Sequence, residues 1–226
     1  MKKHLKRLAA PRSWNILRKE ARFITHPQPG GHRLSSGLPL LTILRDMLHY
    51  GQTAREVQKI LHATEVQVNG KRQQDHRFLV GLFDIVSIPT LKESYRITLD
   101  KKGRLMTKKI DEKERTIRIA KVVGKTVTKK NTIQYHLHDG NNILLNKNVN
   151  VGDTLVLSVP DNTVKELLPL REGMHIFLSQ GKHAGDSGVL KTMSGHQVVY
   201  HKEEQDIETA KRYVFVTGKE KPLITL

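Results

Sequence analysis

The chain has 226 residues, and its 39 Lys/Arg against 22 Asp/Glu give a formal net charge of +17. The absence of cysteine excludes disulfides, cysteine zinc sites, iron–sulfur clusters and thiol catalysis, and apolar runs such as Leu38–Leu41 and Ile143–Leu145 fall far short of the ~18 residues a membrane-spanning helix needs. A pI near 10.1 points to a polyanion, most simply nucleic acid, as partner, while an aromatic content of 5% leaves few platforms for base stacking.

The charge is unevenly spread. Residues 1–36 carry nine Lys/Arg against Glu20 alone, and residues 89–170 carry sixteen against nine acids. Residues 37–88, with six against five, and 171–226, with eight against seven, are nearly balanced. That alternation describes a modular chain with nucleic-acid-facing parts. The basic start is not a secretory signal, because Lys6 and Arg7 interrupt Leu5 and Leu8 where an apolar region is required. It reads as an arm that threads between phosphates. With little apolar surface of its own, it is expected to be mobile in the free protein and to order on binding. Lys2, Lys3, His4, Lys6, Arg7, Arg12 and Trp14 are its candidate contacts, and His26–Gly31, with two prolines and two glycines, closes it off.

Two short helices and a hairpin are predicted next. Leu40, Leu41, Leu44, Met47 and Leu48 recur at helical spacing, with Gly51 placed as the C′ residue. Thr53-Ala-Arg-Glu56 is a capping box, and Val57, Ile60 and Leu61 share one face of the helix it opens, opposite Arg55 and Lys59. Val66-Gln-Val68 alternates as a strand, Asn69-Gly70 is a tight turn, and Phe83–Ile88 reads as a closing strand. Arg45, Arg55, Lys59, Lys71 and Arg72 are candidate nucleic-acid contacts on this module. Any one of them alone is an ordinary solvated cation; the combination is the signal.

From Tyr95 onward the pattern is β. Tyr95–Leu99, Ile117–Val123, Ile143–Leu145 and Thr154–Val159 are predicted strands separated by turns at Lys101–Gly103, Asp139–Asn142 and Val151–Asp153. Short strands at this spacing suggest a small barrel or sandwich. Lys101, Lys102, Arg104, Lys108, Lys109, Lys129 and Lys130 lie where phosphate contact or plain edge protection would serve equally. After a weak boundary near Pro169, Met174–Leu178 is a strand and Gly181-Lys-His-Ala-Gly-Asp-Ser-Gly188 a glycine-rich loop, with Lys182 and His183 at its tip. Gly181, Gly185 and Gly188 there permit positive φ and close approach of a phosphate backbone.

Residues 40–88 resemble the alpha-L RNA-binding motif. The whole chain resembles the e-type family of small-subunit ribosomal protein four, found in archaea and eukaryotes. The matching stretches are Lys3–Pro11 with Trp14, Leu38-Pro-Leu40, Glu56-Val57 with Lys59-Ile60, Asn69-Gly-Lys71, Asp84–Ile88, the loop glycines, and Val214–Lys219 with Lys221-Pro222. Gln180 stands where the family usually has glycine. The chain stops at Leu226 without the basic tail of eukaryotic members, so an archaeal source is expected. The resemblance implies a multidomain α+β protein in four parts: a basic arm (1–36), the alpha-L motif of two helices and a small sheet (37–88), a β-rich central domain (89–170), and a C-terminal domain (171–226) with an SH3-like KOW barrel. It implies binding to small-subunit ribosomal RNA beside neighbouring ribosomal proteins in the cytoplasm, with no catalysis, cofactor, metal, membrane or small-molecule substrate.

The alternative is a chymotrypsin-like serine hydrolase, because Gly185-Asp-Ser-Gly188 matches most of that nucleophile pattern. It needs a histidine base and an aspartate orienter. His136, His138 and Asp139 are available, but Val189 stands where the pattern has a second glycine. His136-x-His138 as a zinc pair would lack further ligands.

Overall fold

The computed structural model describes residues 4–128, 132–202 and 205–226, and these are mostly strands in several sheets with few helices. They form two compact units, Met1–Thr98 with Arg104–Arg115 and Leu99–Gly103 with Thr116–Leu226.

In the first unit, β1 (Leu5–Lys6) and β2 (Phe23–Ile24) form an antiparallel ribbon pairing Leu5 with Ile24 and Lys6 with Phe23. The arm, expected to be mobile, is docked. Trp14 is 2% exposed, its indole N–H donates to Leu34 O at 3.1 Å, and its backbone bridges to Leu105. Arg7 is also buried, donating to Leu17 O at 2.6 Å and pairing with Glu20 at 2.9 Å. Leu17, Glu20 and Leu34 belong to the arm itself, while Leu105 and Arg77, which donates to His26 O at 2.8 Å, tie it to the rest of the unit.

β3 (Gly37–Pro39) leads into α1 (Leu40–Thr42), which widens into a π-turn at Ile43–Met47, with Leu48 N–H donating to Ile43 O at 3.0 Å. The left-handed residue that ends this segment is His49 (φ 57°), not Gly51. Gly51 serves packing instead: a Cβ there would stand 3.1 Å from Val57 Cγ2. α2 (Ala54–Ala63) opens on the predicted capping box of Thr53 and Glu56 and buries Val57 and Leu61. β4 (Gln67–Val68) and β5 (Lys71–Arg72) are joined by Asn69 (φ 49°) and Gly70 (φ 73°), the two positive values a type I′ turn requires. β6 (Leu79–Gly81) pairs back on β3, while β7 (Ile85–Ile88), β8 (Glu93–Leu99) and β9 (Leu105–Lys109) complete a sheet ordered β5-β4-β7-β8-β9.

In the second unit, β10 (Ile117–Val127), β11 (Ile133–Leu137), β12 (Asn142–Leu145), β13 (Thr154–Ser158) and β14 (Val164–Leu168) form a sheet ordered β12-β11-β10-β13-β14. β10 is shared along its length. Ile117–Lys121 pairs with β13 and Val122–Val127 with β11, across a register shift between Val122 and Gly124. Ala120, Val122, Tyr135, Leu137, Leu155 and Leu157 fill the core. A second antiparallel sheet, ordered β18-β17-β16-β15-β19, contains β15 (His175–Leu178), β16 (Ser187–Ser194), β17 (Gln197–Lys202), β18 (Gln205–Ala210) and β19 (Val214–Gly218). Ile176, Leu190, Val198, Val214 and Val216 are buried in it.

Candidate nucleic-acid interface

The burial of Val57 and Leu61 fixes the rotation of α2, so the stripe at positions 55, 59 and 62 faces away from the core. Arg55, Lys59 and His62 line an open depression with Gln58 and Ala63. Arg72, across the type I′ turn on β5, donates its guanidinium to His62 O at 3.2 Å. That bond satisfies a carbonyl in the last turn of the helix and brings a third cation to the place where Arg55 and Lys59 lie. Lys71 is exposed beside it. The one acid of α2, Glu56, is turned to the helix start, where the Gln52 backbone N–H and the Thr53 contacts hold its carboxyl below the ordinary value. The face thus presents the cations Arg55 and Lys59 at i and i+4, the His62 ring at i+7 and Arg72 at the helix end, with Glu56 drawn to the helix start, an arrangement that can neutralise a row of phosphates.

The remaining sequence-derived candidates are dispersed. His4, Lys6 and Arg12 are exposed on the arm, whereas Arg7 and Trp14 are turned inward. Lys2 and Lys3 lie outside the described residues, as do Lys129 and Lys130. Arg45 is half-buried and doubly hydrogen-bonded to Asp46, at 2.8 and 2.9 Å; that pairing raises its guanidinium above the ordinary value. Lys101, Lys102, Arg104 and Lys108 are exposed, and Lys109 pairs with Glu93 at 2.7 Å.

In the glycine-rich loop, Gly181 (φ 94°) and Gly185 (φ 90°) have the left-handed backbone expected of them. Gly188 does not. It lies in β16 opposite Ile176, and its small size serves close packing, since a Cβ would run into the carbonyl oxygen of His201 and stand 2.9 Å from Tyr200 Cδ2. Lys182 is exposed, while His183 is half-buried 3.7 Å from Asp186, which in turn binds Lys202 at 2.8 Å.

The hydrolase reading finds no support. Ser187 sits in β16 opposite Phe177. His136 bonds Thr126 and Asn142, at 2.9 and 2.7 Å, and His138 Nδ1 accepts from the Lys121 backbone N–H at 3.2 Å. Asp139 is engaged by the buried Arg118. Each proposed partner is therefore committed within the central sheet's own loops and strands. Among the described residues, no helix is long and apolar enough to cross a membrane.

Sequence reasoning did not single out His62, whose signal was its seven-residue spacing from Arg55, nor Phe23 and Arg22 on the arm. Phe23 is 50% exposed, 5.4 Å from the Arg22 guanidinium carbon and 5.7 Å from the His4 ring.

The chain is similar to known proteins along its whole length. Residues 91–164 match "Ribosomal family S4e" and residues 1–35 match the "RS4NT (NUC023) domain". The chain is 37% identical, over all of its length and 98% of the relative's, to small ribosomal subunit protein eS4 of Methanocaldococcus jannaschii. It is 37% identical to the eS4 protein of Archaeoglobus fulgidus, over 99% of this chain and 97% of that one. The crystal structure of the 30S ribosomal protein S4e from Thermoplasma acidophilum superimposes with a TM-score of 0.72 at 29% identity, covering 81% of this chain and 96% of that chain. The chain belongs to the S4e family of small-subunit ribosomal proteins, which are structural constituents of the ribosome and not enzymes.

Proposed function

We propose that the chain binds small-subunit ribosomal RNA chiefly through the basic face of α2 and β5, residues 37–88 acting as an alpha-L motif. What carries the reading is the placement of Arg55, Lys59 and His62 on one helical stripe with Arg72 bonded to its end. Cations there neutralise phosphates and release counterions, so affinity falls with salt. His4, Lys6 and Arg12, with Lys2 and Lys3 ahead of them, extend the contact along the arm (1–36), which Arg7 and Trp14 hold in place. Arg45 supplements the face once RNA competes with Asp46. A β-rich domain (89–170) and a C-terminal KOW barrel (171–226) follow; in the latter Gly181 and Gly185 shape a loop, closed by Gly188 at the start of β16, that offers Lys182 and His183 to the RNA backbone. Neighbouring small-subunit proteins are the other partners, in the cytoplasmic ribosome.

The test is a titration of the full chain with small-subunit ribosomal RNA over a range of salt concentrations. The double variant Arg55→Glu, Lys59→Glu binds more weakly, and its log–log salt slope is shallower by about 1.4–1.8 for two lost phosphate contacts. Its unfolding free energy stays within about 0.5 kcal/mol of the parent's, because both side chains are exposed. Unchanged affinity and slope in a folded variant would rule the face out.

A further inference from the structure

The β1–β2 ribbon has two unlike faces. Leu5 and Ile24 oppose each other, and Ile24 is 7% exposed. Directly opposed strand residues share a face and successive ones alternate. Phe23 and its partner Lys6 therefore point the other way, and Phe23 is 50% exposed. Two more groups gather at this ring: the Arg22 guanidinium carbon, 5.4 Å from its centroid, and the His4 imidazole, 5.7 Å away and tilted by 49°. Leaving so much aromatic surface in water forgoes hydrophobic stabilisation. An open aromatic face bordered by Lys6, Arg22 and His4 is a poor seat for an apolar protein surface, which would have to desolvate the Lys6 and Arg22 cations and the polar His4 ring. It suits a ligand that combines a flat π-system with negative charge: an unpaired nucleotide stacks its base on the ring and brings its phosphate to the cations.

We infer that Phe23, with His4 and Arg22 beside it, is a stacking platform for one unpaired base of the bound RNA, with Lys6 at the adjoining phosphate. The inference rests on the RNA-binding reading above and adds a base contact to a surface otherwise built for phosphates.

The experiment uses the full chain and small-subunit ribosomal RNA. Phe23→Ala lowers affinity roughly ten- to hundredfold, the loss of one stacked base. It leaves the salt slope unchanged, because stacking releases no counterions, and Phe23→Tyr restores binding. Ultraviolet cross-linking of the parent followed by mass spectrometry, which needs no variant to fold, places a nucleotide on the peptide containing Phe23. The inference is overturned if Phe23→Ala binds like the parent, if its loss tracks a lowered melting temperature that Phe23→Tyr does not recover, or if the Phe23 peptide cross-links to a neighbouring protein in the assembled subunit. Phe23→Ala binding like the parent while Arg55→Glu, Lys59→Glu binds weakly overturns this inference alone; no binding by the parent overturns both readings.

Discussion

The Lys121 ammonium, on β10, donates a 2.7 Å hydrogen bond to the carbonyl oxygen of Val214 at the start of β19. The same Nζ lies 2.9 Å from Arg212 O and 3.4 Å from Lys211 O, and 5.4 Å from the centroid of the Phe215 ring. Within the second unit, one buried cation ties the β10 sheet to the turn that leads into β19.

Replacing Lys121 by Met keeps the stem but removes the donor to the Val214 and Arg212 carbonyls, Lys211 O keeping the Val214 N–H, and is expected to cost about 2–4 kcal/mol of unfolding free energy. The pH dependence provides an independent check. Burial, with Lys211 nearby, pushes the Lys121 ammonium down from 10.5 to about 8. The folded value lies below the unfolded one, so between them the unfolded chain holds more protons, and the parent gains stability relative to Lys121→Met as pH rises from about 8 to about 10.5. Denaturant unfolding of both proteins near the two ends of that window reads the change; a constant gap contradicts it.

A second prediction concerns acid. Asp84 is buried, which alone would raise its carboxyl, but His32, the Asn69 amide and the Gly81 N–H outweigh burial and hold it down at about 2. The contacts are 2.9 Å to His32 Nε2, 2.7 Å to Asn69 Nδ2 and 2.8 Å to Gly81 N. Here the folded value is the lower one, so the stabilisation is complete above the unfolded 3.8 and is lost as pH falls from there through about 2. Asp84→Asn is expected to cost about 2–4 kcal/mol at neutral pH and to flatten the parent's loss of stability between pH 4 and pH 2. Acid titrations of unfolding compare the two; an equally steep limb in the variant would show that Asp84 is not its source.

The features that could be read from the sequence are those whose causes are local. The Thr53–Glu56 box and the Asn69-Gly70 turn each place their deciding atoms within four residues, and both formed as written. The basic face of α2 followed from Val57 and Leu61, because the helical period alone sets which side is wet. Trp14 and Arg7 were misread as outward because their partners, Leu34, Leu105, Leu17 and Glu20, are supplied by tertiary contact. Lys121 looked like any strand lysine, since the carbonyls that hold it are about ninety residues on. His49 took the left-handed position expected of Gly51, because the π-turn shifts the end of the helix.

The glycine-rich loop separates packing from chemistry. Ser187→Ala is expected to leave unfolding and RNA binding unchanged. Gly188→Val forces a Cβ into the His201 carbonyl, a backbone atom that cannot swing aside, at a cost of about 1–3 kcal/mol from overpacking. Thermal unfolding of the two variants decides it: a Gly188→Val protein that melts with the parent would remove the packing explanation.

The most direct measurement of the account is a protein–RNA cross-linking map of the assembled small subunit. Ribosomal RNA nucleotides joined to the peptides that carry Arg55, Lys59 and Lys71–Arg72 are the expected result. A map in which those peptides carry no RNA and cross-link to a neighbouring protein instead would contradict it.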